Sequence, residues 1–165
     1  MIKPVLQLPD HVLATPCAPV GKIDDVARAV AHDLLDTMRG APHSVGVAAP
    51  QIGASLRIFC VDVTGHRKAK SCHGEVLLID PVVVESSTPE IGREGCMSVP
   101  DLTGDVARAT FLLVRGRNLD GEEREYEVDA FEARAFQHEL DHLDGLLFLD
   151  RVVADDRVFR RRVYR

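Results

Sequence analysis

Two histidines bracket a glutamate in the run His138-Glu139-Leu140-Asp141-His142. On a helix, residues four apart share a face, so both imidazoles can reach one metal ion. Glu139, beside the first of them, can then take a proton from water activated by that ion. The plain alternative is a polar helix face carrying two ordinary histidines. A catalytic metal of this kind needs a third protein ligand and keeps one position open for water. One peptidase pattern places a histidine three residues beyond a glycine; Gly145 is in place, but Phe148 stands where that ligand would be, which excludes the pattern. The remaining soft candidate is a cysteine thiolate. Cys96, in Glu94-Gly95-Cys96-Met97-Ser98-Val99-Pro100, lies in a stretch that reads as too short and proline-broken for regular structure. Cys60 reads as a small core residue in mid-strand, and Cys17 and Cys72 have no visible partner.

A third stretch, Ser44-Val45-Gly46-Val47-Ala48-Ala49-Pro50-Gln51-Ile52-Gly53, is rich in small residues that let backbone approach a ligand closely. By itself it reads as a common Gly/Ala loop before a strand, with Gln51 a surface amide.

The elements that must position these residues follow from periodicity. Residues 1–21 carry four prolines and suit an extended arm. Apolar residues at three- and four-residue steps predict a long helix over 22–39, ended by Gly40. Residues 55–63, 75–86 and 110–118 read as strands, and 123–128 pairs with the last of these across Asp120-Gly121. A second helix starts near Asp129, with Glu132 completing a capping box, and ends at Gly145. The expected fold is α+β: antiparallel sheet packed around the second helix, which carries the histidines, plus the long N-terminal helix.

With 165 residues, 45% hydrophobic and 28% charged, the chain suits one globular domain over 1–165. A net charge of −6 gives no support to nucleic-acid binding by the body, and DNA is not an expected partner. No apolar run approaches the ~20 residues of a membrane span, and no export signal is visible, so a cytoplasmic monomer is expected. The four cysteines form no C-x-x-C pair and should be mostly reduced. The tail from about 155 to 165 is basic, with five arginines in residues 157–165. It reads as a frayed, solvated helix end, or as a contact for ribosomal RNA or another anionic partner. His11, His32, His43, His66 and His73 read as surface or satisfied core residues.

Taken together, residues 44–53, 94–100 and 137–145 closely resemble the three signature motifs of bacterial peptide deformylases, in the same order and at similar spacing. The likeness runs from the N-terminal arm to about Val152. It implies a hydrolase that removes formate from the N-terminal formyl-methionine of nascent polypeptides. It also implies Cys96, His138 and His142 as ligands of one Fe(II), for which Zn(II), Ni(II) or Co(II) can substitute. Glu139 would be the general acid/base, and Gln51 and the backbone N–H of Met97 would donate to the formyl oxygen. Val45 and Gly46 would pair with the peptide, and Arg108 matches an arginine near the substrate cleft. Val45, Met97 and the first turns of the second helix would form the methionine pocket. Glu94 and Asp141 are candidates for orienting the ligands, with Asp141 equally readable as a surface acid. Where the family has glycine, this chain has Ser44; if that position needs a positive φ, the Cβ is costly, and otherwise the change is nearly silent. Ser44 leaves open a paralogue acting on another formylated peptide or metabolite, or a second, inhibitor-resistant copy. A non-catalytic metal-binding module is the remaining alternative, although binding alone would need neither Glu139 nor Gln51.

Overall fold

The computed structural model describes residues 1–161. In chain order its main elements are α1 (Asp25–Gly40), β1 (Gly46–Ala48), β2 (Ile58–Val61), β3 (Val76–Ser86), β4 (Pro89–Cys96), β5 (Val99–Ala109), β6 (Phe111–Arg117), β7 (Glu123–Asp129), α2 (Ala130–Leu143) and β8 (Val158–Arg160). Five strands form one sheet in the order β1-β2-β3-β6-β7, and three form another in the order β4-β5-β8. Neighbouring strands in both sheets are antiparallel, as the α+β reading requires. No helix among the described residues is long and apolar enough to cross a membrane.

The larger sheet is covered on both faces, which explains why β2 is continuously apolar rather than alternating. Ile58 and Cys60 join Leu34, Leu35 and Met38 of α1 in one cluster; Phe59 and Val61 join Phe136 and Leu143 of α2 in another. All four residues of β2 are fully buried. Each large side chain so buried stabilises the fold by about 1.5–3 kcal/mol. Helix α1 begins later than its apolar stripe suggests because Asp24 accepts a hydrogen bond from the Ala27 amide at 2.9 Å and caps it. Helix α2 touches β1, β2 and β7 of the larger sheet and β5 of the smaller. The helix is therefore wedged between the sheets, the position from which its polar face can line a site.

Several expectations need correction. Residues 94–100 are not irregular: Cys96 ends β4, Val99 opens β5, and Met97-Ser98 is the turn between them. The smaller sheet was hidden by its glycines, which in a strand mark close approach. A Cβ on Gly92 would stand 2.8 Å from the Arg134 guanidinium, and one on Gly104 would stand 2.7 Å from Val152. The small-residue stretch is likewise part strand, as β1. The basic tail is not a helix end: β8 pairs with β5, placing Phe159 opposite Thr103. Residues 162–165, on which the anionic-contact reading also rests, lie outside those described. The capping box does not form either. Asp129 accepts from the Ser71 amide at 2.9 Å, and Glu132 accepts from the Ser71 hydroxyl at 2.7 Å and the His73 amide at 2.8 Å. Both acids are drawn to the 65–74 loop because that loop has unsatisfied donors and Glu132 is fully buried.

Candidate metal centre

One turn of α2 separates His138 from His142, and the end of β4 brings Cys96 against that face. The ligating atoms of Cys96, His138 and His142 all lie within 4.8 Å of one another. Cys96 Sγ is 3.4 Å from His142 Nε2 and from the Ser98 amide, and 3.5 Å from Gln51 Nε2. The sulfur thus accepts from the Ser98 amide and the Gln51 carboxamide, with the His142 ring nitrogen beside it, which suits a thiolate. Burial, and then the nearby His138, push His142 well below the usual imidazole range, leaving a neutral ring with a free lone pair. His138 Nδ1 lies 2.8 Å from Glu94 Oε1. A carboxylate can only accept, so Nδ1 carries the proton and Nε2 is left for the cluster. Burial opposes charge on His138, but the Cys96 sulfur and Glu94 outweigh it and hold this imidazole well above its usual range. One thiolate and two imidazoles converging at this spacing form a donor set that fits a divalent transition metal.

Glu94 orients His138 and is itself held by cations. Arg108 donates to both its oxygens at 2.8 and 3.0 Å, and Arg134 donates at 2.9 Å. Burial works against its charge, yet the bonds from His138 and Arg108 prevail and keep its carboxyl well below the usual carboxylate range. Arg108 also donates to Asp141 at 2.6 Å, and Asp141 is bridged at 3.1 Å by Arg151. This settles Asp141: it is neither a surface acid nor a direct partner of a histidine, but the far anchor of a buried ion-pair chain. It also corrects Arg108. That side chain is 5% exposed and spent on two carboxylates, and it does not line the cleft described next. In β5 it pairs with Glu90, a register that directs it beneath α2.

A cleft of about 190 Å³ opens between β1 and the β4–β5 turn, with Val45 and Gly46 on one side, Gly95 and Met97 on the other, and His138 and Glu139 at its base. Both flanking strands, β1 and β4, are sheet edges. Glu139 is 3% exposed, its Oε1 lies 4.0 Å from His142 Nε2, and its Oε2 is buried with no hydrogen-bond partner among the described residues. Burial pushes its carboxyl up to about 7, against the attraction of His138. Gly46 is required here for space, since a Cβ would come within 3.1 Å of Glu139 Oε2 and 3.0 Å of the Cys60 carbonyl. Gln51 sits in the short 3-10 turn Ala49–Ile52; it is no surface amide, being 1% exposed. Its Oε1 accepts from the Ala48 amide at 3.0 Å, which turns its NH₂ toward Ser98 Oγ at 3.0 Å and toward Cys96.

Ser98 is a residue that motif reading passed over, fully buried and fixing both Gln51 and the Cys96 sulfur. Arg134 was also missed, because its partners lie 28 to 44 residues away. His43 lines the cleft rather than a plain surface. It, and not Ser44, carries the positive φ, at 67°. A Cβ at Ser44 therefore carries no backbone strain. Ser44→Gly is expected to change stability by less than about 0.5 kcal/mol, read as the denaturant midpoint at constant m-value.

Comparison with known proteins agrees with this geometry. The family model described as Polypeptide deformylase matches residues 2–158. A peptide deformylase of Acidobacterium capsulatum is 39% identical over 163 residues, spanning 98% of this chain and 94% of that protein. One from Halothermothrix orenii is 43% identical over 153 residues, spanning 91% of this chain and 95% of that protein. Among solved structures, the peptide deformylase of Thermotoga maritima superposes with a TM-score of 0.83 at 34% identity, covering 93% of this chain and 99% of that one. The match of sequence and fold over nearly the whole length shows that this chain belongs to the polypeptide deformylase family.

Proposed function

We propose that this protein hydrolyses the formyl amide at the N-terminal formyl-methionine of nascent polypeptides, releasing formate, with Fe(II) held by Cys96, His138 and His142. The observation that carries the reading is the placement of a buried, unpartnered carboxylate, Glu139, beside a three-ligand cluster at the base of a cleft flanked by two sheet edges. The thiolate–imidazole set also accommodates Zn(II), Ni(II) or Co(II), and the family resemblance favours Fe(II). When bound, such an ion polarises the formyl carbonyl and lowers the pKa of water.

The chain's own residues supply the rest. An extended peptide can add to the free edge of β1 through the backbone at Val45 and Gly46, which fixes the formyl group over the base of the cleft. Glu139 receives the proton of the attacking water at Oε2, the oxygen left without a partner, and passes it to the departing amine. Gln51 Nε2 and the Met97 amide donate to the formyl oxygen as negative charge develops there. Ala48 and Ser98 hold the Gln51 carboxamide in advance, so it need not reorganise during the reaction. Gln51→Leu is expected to lower kcat by about 10²–10³-fold with a smaller change in KM, measured as formate release.

Ser44 gives no ground for a different substrate, because its backbone is unstrained. The test compares formyl-Met-Ala-Ser with a peptide formylated only on a lysine side chain. Formate released from the first alone supports the reading, and equal or faster release from the second overturns it.

A further inference from the structure

The basic tail found in the sequence has no part in the chemistry above, yet its first residues return to the cleft. Phe159 lies over Arg93, with the guanidinium carbon 3.9 Å from the ring centroid, and the Arg161 amide donates to the Asp101 carbonyl at 2.8 Å. Residues two apart in an extended chain face the same way, so Arg161 follows Phe159 across this face of the smaller sheet. Its guanidinium reaches the position that a side chain at Gly95 would occupy, beside Thr103. Gly95 is the residue before Cys96, and Arg161 is part of the cleft wall.

Three arginines border this cleft, and two are neutralised. Arg93 pairs with Asp105 at 2.8 Å, and Arg134 pairs with Glu94 at 2.9 Å. Arg161 has no carboxylate within ion-pair distance among the described residues, and its Nε is buried without a hydrogen-bond partner there. A partly buried guanidinium with an unused donor at the wall of a peptide-sized cleft is suited to a carboxylate.

We propose that Arg161 is a specificity-determining residue that recognises a carboxylate on the peptide downstream of the formyl-methionine, giving a preference for acidic residues at the second or third position. The proposal rests on the deformylase reading. The Arg161 fork lies over Gly95 on the cleft wall and makes no hydrogen bond to Cys96, His138, His142 or Glu139, so its place in the proposal is along the peptide and not at the reacting amide.

The test uses metal-loaded protein and C-terminally amidated peptides, formyl-Met-Asp-Ala, formyl-Met-Ala-Asp and their Asn counterparts. It adds formyl-Met-Ala-Asn with a free carboxylate, which separates a side-chain source of the charge from a chain-end source. For at least one acidic peptide, kcat/KM should exceed that of its Asn counterpart by about three- to tenfold at low salt, shrinking as salt rises. The ratio should fall to about one in Arg161→Gln and be largely kept in Arg161→Lys and in Arg124→Gln, a control on β7 of the other sheet. The same peptides without formyl, titrated calorimetrically, read the contact without turnover and should show the same order of affinities. Equal affinities and equal kcat/KM for acidic and neutral peptides in the unmutated protein, or a ratio unchanged by Arg161→Gln, would overturn the proposal. Absence of turnover with any formyl peptide would instead remove the deformylase reading, leaving the calorimetric ratio to judge Arg161.

Discussion

Glu139→Ala is expected to reduce kcat for formyl-peptide hydrolysis by about 10²–10⁴-fold while leaving one metal bound per chain. The carboxylate is not a ligand in the cluster formed by Cys96, His138 and His142, so its loss should remove proton transfer and spare the metal. A second consequence separates this residue from a structural acid. Glu139 Oε2 is buried without a partner among the described residues, and burial pushes its carboxyl up to about 7, so the fold gains little from it. The thermal midpoint of the variant should therefore match or exceed that of the parent protein. A fall in kcat of less than tenfold would remove Glu139 as the proton carrier. A large fall in midpoint would show that it holds the fold instead.

Arg108→Met should act in the opposite sense. Its guanidinium neutralises Glu94 and Asp141 together, and all three are at least 90% buried. Removing it takes a cation from both buried acids and leaves Glu94 to Arg134 and Asp141 to Arg151, at a cost of up to about 3–5 kcal/mol. For a chain of this size the midpoint should fall by about 6–20 °C. Because Glu94 orients His138, metal affinity should also drop, by roughly 10- to 100-fold. An arginine serving as a substrate contact would behave differently, with KM raised and the melting curve unmoved. Calorimetric scanning of the metal-free and metal-loaded variant distinguishes the two.

The legibility of this site in the sequence followed the range of the interactions. His138 and His142 could be paired because one helical turn is a local rule, and β2, β3, β6 and β7 could be found because runs of β-branched and aliphatic residues and a hairpin dipeptide are local signals too, even where the valines of β3 are exposed. Gln51 looked like a surface amide because the groups that bury and aim it come from elsewhere, namely the Ala48 amide and Ser98. The β4–β5 hairpin was unreadable for a related reason. Its glycines are occupied in space by Arg134, Arg161 and Val152 from other parts of the chain, and no periodic pattern survives such packing. Arg108 was assigned to the cleft by the family resemblance, which carries no information on its partners in this chain. Its partners, Glu94 and Asp141, lie 14 and 33 residues away and pull it beneath α2. The capping box at Asp129 failed by the same logic, since a local hydrogen bond lost to tertiary donors from the 65–74 loop.

The central claim is that Cys96, His138 and His142 hold one catalytic metal beside Glu139. Its most direct test is an anaerobic titration of metal-free protein with Fe(II), following formate release from formyl-Met-Ala-Ser at each addition. Activity should rise linearly and level off at one metal per chain, with no rise in Cys96→Ala. Full activity before any metal is added, or in Cys96→Ala at one equivalent, would contradict the account.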